Sequence, residues 1–111
     1  MTNPNDATPS EHYERFRAAY PAIADAHAAL GQAIRAEGPL DERSVALVKL
    51  ALAIGAQLEG GVHAHTRRAV AAGIERQAIE HVALLAASTL GFPRAMAAYA
   101  WVCDTLDRAD E

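Results

Sequence analysis

Between Arg43 and Glu59 the chain carries a single charge, Lys49, among Val45, Leu47, Val48, Leu50, Leu52 and Ile54. At helical spacing these side chains surround the axis, and a helix that is apolar nearly all round is expected to be central and buried. Such a helix, roughly 42–56, constrains the rest of the chain to amphipathic elements that can cover it. Gly38-Pro39 punctuates the chain before it, Asp41 is placed to cap it, and Leu40 and Val45 occupy hydrophobic-staple positions.

Nothing alternates with the period of a strand; Ala, Leu, Glu and Arg dominate, all good helix formers. Thr8-Pro9-Ser10-Glu11 reads as a helix start, with Tyr13, Phe16 and Tyr20 at helical spacing until Pro21 interrupts them. A second helix runs to about Glu37 with Ile23, His27, Leu30 and Ile34 on one stripe. A fourth spans about 59–72 and stops at Gly73, with Ile74 placed for a Schellman contact. A fifth spans about 75–90, carries Ile79, Val82, Leu85 and Ala86, and stops at Gly91. The last starts at Pro93 with Met96, Tyr99, Val102, Cys103 and Leu106 at core spacing. The expectation is a flexible tail over 1–8 and one compact all-α domain of about six helices over 9–111.

Composition narrows the class. At 111 residues and 51% hydrophobic, with few aromatics, the chain can build one core from small side chains, a design often completed by self-association. A formal charge of −4 argues against nucleic acid, which needs a concentrated basic surface. Lys49 and Glu59 interrupt the best apolar run, so no membrane span is expected. With Cys103 alone there is no intrachain disulfide and no Cys-rich metal site. The polar first residues lack the pattern of a signal peptide, and a cytoplasmic setting is expected.

His65 is the first candidate for chemistry. Val62, Ala69 and Ala72 stand at its i−3, i+4 and i+7 positions, so it falls on the inward stripe of its helix. A partly dry imidazole can give or take a proton near neutral pH; the plainer reading is a core histidine satisfied by hydrogen bonds. His63 and His65 suggest a metal pair, but on a helix they diverge by about 200°. A surface contact between His63 and Glu59, four residues before it, is the simpler expectation. Lys49 is either a desolvated anion-binding amine or part of a solvated strip shared with Glu42. Arg68, three residues after His65, is better placed than Arg67 to approach a pocket at its side. Glu59-Gly60-Gly61 leaves room at a helix N-terminus, suited to an anion or to a close helix crossing. Cys103 reads as an inert core thiol.

The order Leu40-Asp41-Glu42-Arg43-Ser44-Val45-Ala46-Leu47, His65-Thr66-Arg67-Arg68-Ala69, Gly73 and Gly91-Phe92-Pro93 resembles the carboxymuconolactone decarboxylase and alkylhydroperoxidase D-like family. The resemblance runs from about Leu40 to Leu106. It implies an alkylhydroperoxidase D-like all-α fold and assembly as a trimer or hexamer, with no cofactor or metal in the decarboxylase branch. One branch decarboxylates a lactone acid; another is a peroxidase using a Cys-x-x-Cys pair, a following histidine and an upstream glutamate. Carried over, the cysteines fall on Leu58 and Gly61, an intervening histidine on Gly60 and the glutamate on Ala46, leaving only His65. A dithiol mechanism needs a low-pKa attacking cysteine and a resolving partner, so peroxidase chemistry is disfavoured. The leading expectation is a carbon–carbon lyase acting on a small cyclic carboxylate or lactone. His65 would be catalytic, with Arg68, Lys49 and Glu59 binding substrate. A non-catalytic ligand-binding or interaction protein on the same scaffold is the alternative.

Overall fold

The computed structural model describes residues 11–109, so the expected tail and the Thr8-Pro9-Ser10 cap lie outside the described residues. The chain forms six helices: α1 Glu11–Ala19, α2 Pro21–Glu37, α3 Glu42–Gly55, α4 Glu59–Ala71, α5 Arg76–Thr89 and α6 Phe92–Ala109. No strand occurs among the described residues, and no helix there is long and apolar enough to cross a membrane.

The helix ends follow from local chemistry. Asp41 caps α3 by accepting from the Ser44 backbone N–H at 2.7 Å, which satisfies one of the otherwise unpaired first-turn donors. Gly73 ends α4 with φ 81°, its N–H donating to the Val70 carbonyl at 3.0 Å and that of Ile74 to Ala69 at 3.1 Å. That is the Schellman pairing, and Ile74 is buried as its apolar contact. The same pairing ends α3 without glycine. Gln57 takes φ 55°, Leu58 N–H donates to the Ala53 carbonyl at 3.0 Å, and the Gln57 side-chain amide caps the Ile54 carbonyl.

The core lies among α3, α4, α5 and α6, where α5 runs along α6, α3 along α4 and α4 along α6. Leu50 and Ile54 of α3, Val62 of α4, Ile79 of α5 and Val102 of α6 are fully enclosed. Burying each such side chain contributes roughly 1.5–3 kcal/mol. Small residues, Ala69, Ala83 and Ala98, fill the spaces between helices and allow close approach. Gly61 is the tightest of these positions: a methyl group there would meet the Ala53 Cβ at 3.3 Å. The Gly60-Gly61 pair therefore divides, with Gly61 serving the α3–α4 crossing and Gly60 facing open space. Three ion pairs brace the outside, Arg43 to Glu75 and Arg76 to both Glu80 and Asp107.

Two expectations about the core need correction. α3 is not buried all round: Leu50, Ala53 and Ile54 face the core, whereas Leu52 is 66% exposed and Val48 is exposed beside it. Nor does the α2 stripe find the core. Ala24 is the one buried residue of α2, and Ile23, Leu30 and Ile34 are each close to 60% exposed. Leu85 and Met96 likewise face outward. The periodicity selected apolar faces correctly, but this chain alone has too few helices to cover all of them.

Candidate functional site

A cleft of about 380 Å³ lies along α3 and α4. Glu42, Val45, Ala46 and Lys49 come from one helical stripe of α3, where Ala46 also packs against the core. His65 and Arg68, one turn apart, come from α4 with Ala71 and Ala72 below them. Arg35 reaches in from α2. Val45, Ala46, Ala71 and Ala72 give it an apolar part, and its charged groups are three cations against one carboxylate.

His65 is half-buried rather than enclosed, and neither ring nitrogen bonds to another described residue. Burial pushes its imidazolium down to about pKa 4, helped by the positive charges of Arg68 and then Lys49. At neutral pH the ring is therefore uncharged and able to accept a proton or a hydrogen bond.

His63 overturns its expectation. Its contact with Glu59 exists at 3.3 Å, but the ring is buried, not on the surface. Its Nδ1 meets the Oγ1 of Thr105, a fully buried α6 side chain, at 2.6 Å. Because the Glu59 carboxylate can only accept, Nε2–H donates to it, and in the neutral ring Nδ1 is then left to accept from the Thr105 hydroxyl. The two histidines thus point to different places, His63 to the α4–α6 contact and His65 to the cleft.

Of the sequence candidates, the structure brings together His65, Arg68 and Lys49 and leaves Glu59 out. The Glu59 carboxylate is engaged with His63 at the start of α4. Lys49 is half-buried and shares its strip with Glu42, as their spacing of seven suggests, but the strip lines a cleft. Arg67 is half-buried outside the cleft, its pKa lowered first by that burial. Arg35 was missed, because no spacing within α2 marks it. Thr105 was also missed, although a hydroxyl one turn after Val102 on the core stripe was a legible signal. Cys103 is half-buried on α6 beside Tyr99, whose phenol it holds above the ordinary range, and lies outside the cleft.

The positions that carry redox chemistry in the resemblance are filled differently. Ala46 stands in the cleft wall, Leu58 is exposed ahead of α4, and Gly61 serves helix packing. What remains is an all-α domain whose cleft offers one uncharged histidine and several cations, with no cysteine among its lining residues. The model of the carboxymuconolactone decarboxylase family matches residues 21–104, and the chain belongs to that family. Neither a curated protein nor a solved structure matches it.

Proposed function

We propose that the chain acts on a small cyclic carboxylate or lactone by cofactor-independent acid–base chemistry, decarboxylation or a related carbon–carbon lyase reaction. The observation that carries this reading is an unbonded, half-buried His65 sharing a partly apolar cleft with Arg35, Lys49 and Arg68. The cations would pair with a carboxylate that stays on the substrate, while Val45, Ala46, Ala71 and Ala72 accept its ring. Decarboxylation beside a conjugated carbonyl uses the substrate as its own electron sink. The protein then has to orient it, limit water and move one proton, the task given to His65.

Ligand binding without turnover is the second reading, supported by Ala46 standing where the resemblance places a glutamate. Self-association as a trimer or hexamer belongs to the same proposal. It is supported by the uncovered Ile23, Leu30 and Ile34 of α2 and Leu52 of α3, apolar surface that a second copy would bury.

A panel of lactone and keto acids, read by thermal shift and then by CO₂ release, tests the chemistry beside a His65→Ala variant. The proposal expects a ligand that raises the melting temperature of both proteins and loses CO₂ only with His65 present. Equal turnover by the variant would remove His65 from the mechanism; binding with no turnover by either would select the second reading. Peroxide reduction by a Cys103→Ala protein would restore the disfavoured peroxidase reading in a cysteine-independent form.

A further inference from the structure

We propose that the cleft couples anion binding to proton uptake: a small organic anion seated among Arg35, Lys49 and Arg68 draws a proton onto His65. The inference rests on the anion-binding reading above and adds how the histidine becomes an acid.

The argument starts from placement. Arg35 of α2, Glu42 and Lys49 of α3, and His65 and Arg68 of α4 are the titratable side chains lining the cleft; α5 and α6 contribute none. Charging His65 without a counter-ion would add a fourth cation to three, with the Glu42 carboxylate alone to offset them. Burial is the first cause of the uncharged ring at neutral pH, and the charges of Arg68 and then Lys49 add to it. An anion bound to those same groups cancels their repulsion and adds an attraction of its own, while burial still opposes protonation. Binding and protonation are then linked: whatever the anion does for His65 charging, the proton does equally for anion affinity.

Chemistry gives the coupling a use. In decarboxylation the electron pair of the breaking carbon–carbon bond enters the conjugated carbonyl, CO₂ departs, and the resulting enolate carbon must gain a proton. An uncharged imidazole cannot supply it without becoming an anion itself. A ring charged by the substrate's arrival can: it gives the proton to carbon, returns to neutral, and takes another from solvent when the next anion binds. The acid is thereby present only when substrate is.

Benzenesulfonate is the probe, since its charge does not titrate in the working range and its ring suits the apolar wall. The His65 ring resonances, assigned by their loss in His65→Gln, are followed by NMR from about pH 7.5 to about pH 4 with and without the sulfonate. Its dissociation constant is measured calorimetrically at about pH 7 and at about pH 5. The expected result is a midpoint that starts at about 4 and rises by about one to two units, with binding about two- to tenfold tighter at pH 5 than at pH 7. His65→Gln should bind at pH 7 and lose the pH dependence, and Lys49→Met should weaken binding while raising the ligand-free midpoint of His65. Binding with an unmoved midpoint, or an unchanged pH dependence in His65→Gln, overturns the coupling and leaves the anion-binding reading standing. Absence of binding at millimolar sulfonate in folded protein overturns both.

Discussion

His63 and His65 stand two residues apart on α4 and share a backbone, yet they are opposite kinds of histidine. His63 is buried with both ring nitrogens bonded, to Thr105 and to Glu59, and ties the start of α4 to α6. His65 is half-buried, bonded to no described residue, and faces cations across a cleft. About 200° of helical rotation separates them, enough to send one into the bundle and the other to its margin. A satisfied buried ring holds the fold; an unsatisfied ring in a cleft is available to a ligand.

The contrast breaks most visibly by truncation. His63→Ala removes a buried ring and leaves the Thr105 hydroxyl without its acceptor, and should cost about 2–4 kcal/mol in urea unfolding at pH 7. His65→Ala should stay within about 0.5 kcal/mol in the same measurement, because solvent already reaches that ring. Equal losses would sink the distinction.

Acid gives the next largest effect, with the opposite dependence on position. The folded-state pKa of His65 lies below its unfolded value of 6.5, at about 4, so the unfolded chain binds the extra proton between those values. Stability is unaffected above pH 6.5 and falls as pH drops from 6.5 toward 4. Allowing for solvent at the half-buried ring, the loss is roughly 1–2 kcal/mol. Unfolding curves of the wild type and His65→Gln across this window should diverge by that amount; parallel curves would show that the ring is not held neutral by the fold.

Two threonines sharpen the comparison. Thr105→Val removes the His63 partner and should destabilise by about 1 kcal/mol. The Thr66 hydroxyl, one turn after His63 and next in sequence to His65, is buried with no partner among the described residues, so Thr66→Val should stabilise by about 0.5–1 kcal/mol. Thermal unfolding that moves the two variants in the same direction would deny that hydrogen bonding separates them. Glu59→Gln is the smallest change, under about 0.5 kcal/mol, because its carboxylate is 61% exposed where it meets His63. A larger loss, read by the same unfolding assay, would make that exposed partner part of the latch.

Much of this was legible residue by residue. Asp41, Gly73 and Gly91 mark helix ends because capping depends on a few neighbouring atoms. The divergence of His63 and His65 follows from helical geometry, and Lys49 and Glu42 share a strip by spacing alone. Which of the two histidines is buried was not legible. Helical spacing put His65 on the apolar stripe and His63 beside Glu59 at the surface, whereas the answer depends on Thr105, over forty residues later, and on where α6 crosses. Arg35 entered the cleft for the same reason: its position is set by the path of α2 past α3 and α4, which no local signal encodes.

The sequence by itself determined the helices, the Asp41 and Gly73 caps and the family, because these depend on short-range geometry and on residue identity. Only the tertiary structure decided that His63 locks α4 to α6, that Glu59 stays with it, and that Arg35, Lys49 and Arg68 meet at His65. Burial and charge at a ring are sums over every neighbour brought near it, and folding is what chooses the neighbours.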